Sequence, residues 1–224
     1  MVDCSVKVIT IEGCEDRLVD LTVRLSKGGI QNYNIFYGIN KNDILSYQKI
    51  YNFSQDIVYP FGKWNKDIRL KNINTNLCRI GCYLSHYNIL KNSLDKPILI
   101  CEDDIYFTNS IVNSLNSIPD DCFLAIYDCS HIEGNLNGDG WVKINPNKFR
   151  VWCTGCYYVK YPNKLVDILN NTKSKVYDKC LIDSVHKVYP CYIYLEKNKG
   201  ICYQDRKNFI SKITPKSKYN KVTK

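Results

Sequence analysis

No stretch of eighteen or so uncharged apolar residues occurs in the 224-residue chain, which excludes an ordinary membrane-spanning helix. The first ten residues, MVDCSVKVIT, lack the basic-then-apolar layout of a secretion signal. Internal repeats and low-complexity blocks are missing as well. The twelve cysteines form no compact framework; they are scattered through apolar runs such as ILIC and NLCRIGCYL and read as buried free thiols rather than disulfides. These absences lead us to expect a soluble, cytoplasmic protein without a transmembrane segment. Lys and Arg outnumber acidic residues 31 to 22, a net charge of +9. No recognition motif accompanies that excess, so nucleic acid is not an expected partner. Much of it lies in the closing SKITPKSKYNKVTK, which we read as a basic tail over 211–224 following a domain over 1–210.

What is present is an alternation of strand and helix patterns. VKVITI reads as a buried strand, followed by Gly13 and a helix that opens at EDR and runs to about Leu25. QNYNIFYGIN supplies a second strand, and the Asn-, Tyr- and Lys-rich thirty-odd residues after it read as a flap. From Asn76 the pattern LCRIGCYLSHYNILKNSL repeats apolar residues at three- and four-residue spacing, a helix with one face in the core. PILICEDD and DCFLAIYDCS are apolar strands that end in carboxylates. HIEGNLNGDGW is a turn-rich loop; VKINPNKFRVW and CYYVKY are strands; PNKLVDILNN is a helix with Pro162 near its start. Strands in KVYPCYIYLE and KGICYQD complete the sheet. The expected architecture is a three-layer α/β domain, helices on both faces of one sheet.

The chemistry concentrates at Glu102, Asp103 and Asp104. Ligands of open α/β sheets gather at the carboxyl ends of the strands, and three adjacent carboxylates there repel one another unless a cation compensates. Oxygen ligands at this density suit Mg²⁺ or Mn²⁺, which would clamp a diphosphate. A solvated strand-to-turn junction is the competing reading. Cys78, Cys82 and His86 stand at four-residue steps on one helical face, a spacing able to bind zinc. With no fourth ligand evident, a core-facing stripe with a hydrogen-bonded histidine is the reading we adopt.

The block IGCYLSHYNIL followed by ILICEDDIYF resembles the signature of glycosyltransferase family 25, the group of lipooligosaccharide sugar transferases and procollagen galactosyltransferases. Gly81, Cys82, Ser85 and His86 match its Gly-Cys-x-x-Ser-His helix, and Glu102, Asp103 and Asp104 its metal-binding acidic motif. Fainter matches run from Arg17 to YQDRKNFISKI, with Thr154 and Tyr157 in CTGCYYV and Asp183 in CLIDSV. The segment IEGCEDR departs from the family's Pro- and Arg-rich start.

The resemblance implies a GT-A-like, Rossmann-like nucleotide-sandwich mixed sheet flanked by helices. It also implies a divalent metal, usually Mn²⁺, a UDP-sugar donor and a glycan or protein hydroxyl acceptor, with transfer of a hexose and inversion at the anomeric carbon. Under it Asp104 is the direct metal ligand, with Asp103 and Glu102 beside it. Thr10, Arg17, Ser85 and His86 meet the donor. Asp183 is the general base. Asp128, Thr154 and His186 serve the acceptor or support the site.

Two rival readings remain. One keeps the fold as a non-catalytic nucleotide-sugar or glycan-binding domain. The other takes WCTGC, Trp152 to Cys156, as a thiol oxidoreductase motif, although the residues after it read as a strand rather than the helix such a motif requires.

Overall fold

Each central strand divides its side chains between two apolar layers, because successive residues of a pleated strand point to opposite faces. In the computed structural model of the chain, which describes residues 4–40, 43, 73–152, 154–172 and 177–205, that division builds the described residues around one main sheet. The flap, the boundary at 210, the basic tail and Cys153 of WCTGC lie outside the described residues.

The chain runs β1 (Ser5–Thr10), a single 3-10 turn at Glu15–Leu18, α1 (Leu21–Lys27), β2 (Asn34–Tyr37), α2 (Ile73–Lys91) and β3 (Ile98–Glu102). It continues through β4 (Ile105–Phe107), α3 (Val112–Asn116), β5 (Leu124–Ile126), β6 (Ile132–Gly134), β7 (Gly140–Lys143), β8 (Phe149–Val151) and β9 (Cys156–Val159). The remaining elements are α4 (Pro162–Asn171), α5 (Tyr177–Cys180) with a π-helical turn at Leu181–Val185, β10 (Cys191–Glu196), β11 (Lys199–Gly200) and β12 (Cys202–Gln204).

The main sheet has the order β11-β10-β5-β9-β3-β1-β2, with β7 also paired to β10. Strands β1, β2 and β3 are mutually parallel. The antiparallel strand β9 separates them from β5, which runs parallel to β10. The carboxyl ends of β1, β2, β3, β5 and β10 therefore face the same way. Small two-stranded sheets, β4 with β12 and β6 with β8, flank the main one.

Strand β3 is the centre of the core. Ile98 and Ile100 face one layer with Leu124, Ile126, Tyr157, Leu165 and Leu169, whereas Leu99 and Cys101 face the other with Val8, Leu21, Leu25 and Phe107. The expected mixed α/β sheet between helical layers is thus what forms. Three details differ. The first helix is interrupted, 3-10 at Glu15–Leu18 and α only from Leu21. VKINPNKFRVW forms two strands in different sheets, because the turn at Asn145–Pro146 separates β7 from β8. The HIEGNLNGDGW loop contributes the short strand β6.

None of the described cysteines is in a disulfide. No helix among the described residues is long and apolar enough to cross a membrane.

Candidate functional site

β1 ends at Thr10, β3 at Glu102, and β5 two residues before Asp128, so three strands deliver polar side chains to one sheet edge. The apolar run of β3 stops where Asp103 and Asp104 turn the chain into β4. Arg24 of α1 holds that turn: its Nη1 donates to the carbonyls of Asp103 and Ile105, both at 2.7 Å, and its Nη2 to the carbonyl of Arg17. Asp205 adds a backbone bond to the Asp104 carbonyl at 2.6 Å.

Each carboxylate has a different environment. Asp103 accepts from Thr10 Oγ1 at 2.7 Å and from Arg17 Nη1 at 2.9 Å. Burial pushes its carboxyl up, against the pull of Thr10 and Arg17. Burial also draws the Arg17 guanidinium down, but Asp103 and Asp104 together hold it above its ordinary value.

Glu102 accepts from His86 Nε2 at 3.3 Å and from Gln204 Nε2 at 2.9 Å. Burial opposes its ionisation, yet hydrogen bonds from His86 and Gln204 and the charge of Arg17 hold it below the usual carboxylate range. A carboxylate only accepts, so His86 donates to it from Nε2, while its Nδ1 shares a hydrogen bond with Tyr157 Oη at 2.8 Å. Tyr157 bonds Tyr177 Oη at 2.9 Å, and the His86 ring stacks on Tyr177 at 4.4 Å. His86 is thus the hydrogen-bonded core histidine expected from its helical stripe. Cys82, rather than Cys78, joins His86 and Glu102 in a group whose ligand atoms lie within 4.8 Å of one another.

Asp104 is the exception. It is buried, lies 3.7 Å from Arg17 Nη1, and its Oδ1 has no hydrogen-bond partner. Burial first, then the charge of Glu102, pushes it to about 7. An orphaned carboxylate oxygen beside Glu102 fits a hard divalent cation, the donor type Mg²⁺ and Mn²⁺ prefer. The Cys82 thiol suits it less, since burial raises the thiol well above its ordinary value and keeps it protonated.

Asp128 is fully buried and satisfied. Its Oδ1 accepts from the Ser130 amide at 2.8 Å and from the Ser130 hydroxyl, its Oδ2 from the Gly155 amide at 3.0 Å. A Cβ on Gly155 would meet Asp128 Oδ2 at 2.4 Å, so only glycine allows this approach. Burial raises Asp128 to about 6.

The other expected residues divide. Ser85 Oγ donates to the Gly81 carbonyl and accepts from the Ile39 amide at 2.8 Å, tying α2 to the chain after β2. Thr154 is buried next to Gly155. Asp183 stands half-exposed between Lys179 at 3.5 Å and Lys187 at 3.7 Å. Among the described residues, no hydrogen bond or ion pair links it to Glu102, Asp103 or Asp104. His186 is buried and lines a cavity bounded by Ile144 and Pro190, at the amino end of β10 and so across the sheet from the acidic edge. Arg24, Gln204 and Tyr177 escaped the sequence reading. Arg24 follows Arg17 by seven residues across the break in the helix, and Gln204 lies within YQD, signals of ordinary strength.

The raised carboxyls set a pH dependence. Asp104 and Asp128 have folded values above the ordinary 3.8. The native state therefore binds more protons than the unfolded chain. Their contribution is fully present below about 3.8 and is lost as pH climbs through about 6 and 7. For Asp104 alone the loss is on the order of 4 kcal/mol. The metal-free protein should melt several degrees lower at pH 8 than at pH 5, with millimolar Mn²⁺ narrowing the gap; calorimetry across that range checks it.

An open, largely parallel sheet with its polar and acidic side chains gathered at the carboxyl ends of the strands defines an α/β protein of the class whose ligands generally gather at that edge. The family model for glycosyltransferase family 25 (LPS biosynthesis protein) matches residues 5–145, more than half of the chain, and the chain belongs to that family. The match includes Thr10, Arg17, Ser85, His86, the acidic triplet and Asp128, and ends before Thr154, Asp183 and His186. No protein of curated function matches the chain. Among solved structures, an apo UDP-glucose pyrophosphorylase is 16% identical with a TM-score of 0.44, over 90% of this chain and 93% of that one. A UTP-bound UGPase from Acinetobacter baumannii is 10% identical with a TM-score of 0.46, over 90% and 88%.

The thiol oxidoreductase reading loses its support: Cys156 opens a strand and is buried, and burial raises its thiol well above the ordinary value. A redox thiol needs the opposite shift.

Proposed function

We propose that this glycosyltransferase moves a hexose, galactose or glucose, from a UDP-sugar to a hydroxyl of a glycan or collagen-like protein acceptor, with Mn²⁺ or Mg²⁺ as cofactor. The observation that carries the reading is the buried, unpartnered Asp104 Oδ1 beside Glu102 at the carboxyl edge. Asp104 and Glu102 would hold the cation, which when bound supplies positive charge to the departing diphosphate.

The chain's own residues do the remaining work. Thr10 and Arg17 clamp Asp103, so the turn is rigid before any ligand arrives. Arg17, with a second carboxylate 3.7 Å away, is positioned for diphosphate oxygens as well. His86, oriented by Tyr157 and Tyr177, keeps Glu102 ionised. The acceptor hydroxyl must lose a proton as it attacks. We keep Asp183 for that role: it is reachable from solvent, whereas Asp128 already accepts hydrogen bonds on both oxygens.

A panel of nucleotide sugars tests the reading without knowledge of the acceptor. Slow release of UDP from UDP-galactose or UDP-glucose, dependent on Mn²⁺ and abolished by chelation, is expected. Saturable UDP-sugar binding without turnover would instead establish a non-catalytic binding domain.

A further inference from the structure

A cavity of about 750 Å³ opens at the amino ends of β5 and β10, away from the acidic edge. Strand β10 separates the two ends, a distance on the order of 15 Å at roughly 3.3 Å per residue. Two segments enclose it: the stretch from Asn135 to Phe149, and the chain from His186 to Pro190 that leads into β10. Its volume lies within the range of ordinary ligand sites, about 300–1,000 Å³.

Its lining is chemically specific. His186 is 4% exposed, borders the cavity, and its Nε2 has no hydrogen-bond partner. A buried polar atom without a partner is rare enough to require an explanation, and a ligand supplies one. Asn135, Asn137 and Asn145 bring amides that both donate and accept. Tyr189 adds aromatic surface, with the buried Phe149 behind the wall. The Tyr189 ring is fixed by stacking on Phe123 at 4.4 Å. Beyond Tyr189 lies a second recess of about 400 Å³, lined by Lys164, Asp167, Asn171 and Ser184 among others. Tyr189 therefore stands between two adjoining polar hollows, a layout that suits an extended ligand.

We propose that this pair of hollows is a saccharide-binding subsite, remote from Glu102, Asp103 and Asp104, which grips an uncharged stretch of a glycan chain. Hydroxyl groups match the mixed donors and acceptors of the asparagines and the imidazole, and a sugar face matches Tyr189. A phosphate fits less well. Burial lowers His186 to about 4, so its ring is neutral at pH 7. Of the three bordering ammonium groups, Lys143 is paired with Asp121 at 3.3 Å and Lys187 with Asp183 at 3.7 Å, and Lys148 is an exposed surface side chain. The choice of a sugar ligand also agrees with the chain's membership in a glycosyltransferase family.

Saturation-transfer NMR on the full chain, with maltohexaose, cellohexaose and lacto-N-tetraose as probes, tests this directly. At least one should bind with a Kd of about 1 mM or tighter. Binding should weaken about tenfold in His186→Phe, which removes the ring nitrogens, and about three- to tenfold in Asn135→Ala/Asn137→Ala, whose side chains are exposed and leave the fold unchanged. Metal-dependent UDP-sugar hydrolysis should stay at the wild-type rate in the double asparagine variant. If His186→Phe fails to fold, the double variant decides. The proposal is overturned if no probe binds, if the double variant binds as tightly as wild type, or if UDP alone displaces the probes. Hydrolysis without saccharide binding sinks only this subsite; saccharide binding without hydrolysis sinks only the donor reading.

Discussion

Asp104→Asn should reduce metal-dependent turnover of a UDP-sugar by roughly a thousandfold while making the metal-free protein more stable. The two effects have one cause. Asp104 Oδ1 is buried without a partner, and burial with the neighbouring Glu102 charge raises the carboxyl to about 7. Without a cation the carboxyl therefore resists ionisation, and an amide of the same shape removes that penalty. At pH 8 the variant should gain on the order of 4 kcal/mol, or roughly 10 °C in Tm, and at pH 5 less than half as much. The same substitution removes one anionic ligand from the proposed cation site, so Mn²⁺ should no longer raise the Tm. Turnover at the wild-type rate would refute the metal role. A variant less stable than wild type at pH 8 would refute the electrostatic account of Asp104.

Arg17→Ala should be the most damaging single change to the fold of the acidic edge. Its guanidinium and Asp103 are both largely buried, with side chains 12% and 6% exposed. Removing one partner of such a pair strands the other charge, a loss of about 3 kcal/mol or more. Thr10 still donates to Asp103, so the carboxylate keeps one hydrogen bond and the effect falls short of a bare buried ion. The double variant Arg17→Ala/Asp103→Ala should recover part of the stability, because Asp103 is no longer stranded, although Asp104 still loses its cation neighbour at 3.7 Å. Urea unfolding of the two single variants and the double measures the coupling. Independent, additive losses would show that the pair does not act as a unit. Both variants containing Arg17→Ala should also bind UDP more weakly, since the cation nearest the carboxylates is gone.

Much of the acidic edge was legible because its members are contiguous. ILICEDD announces a buried strand and its charged end within seven residues, and the four-residue step from Cys82 to His86 places both on one helical face. The long helix, the alternation of strands and the mixed α/β class follow from local periodicity in the same way. The first helix was misjudged because apolar spacing does not register an interruption at Leu18–Leu21. VKINPNKFRVW was read without a break because its apolar residues flank the turn at Asn145–Pro146 evenly. Asp183 rests on the resemblance of CLIDSV to the family's late acidic motif, and His186 on standing three residues after it. The structure sets the first between two lysines and the second at the other end of the sheet.

By itself the amino-acid sequence determined which residues alternate into strands, which face of α2 is apolar, and that three carboxylates close the central strand, since each is a property of neighbours along the chain. Only the tertiary structure decided which carboxylate is clamped, which is held by histidine, and which has an oxygen without a partner. Thr10 meets Asp103 across 93 residues and Gln204 meets Glu102 across 102. Those meetings depend on strand order, which no local pattern encodes, because order is settled by how two apolar layers close over one sheet.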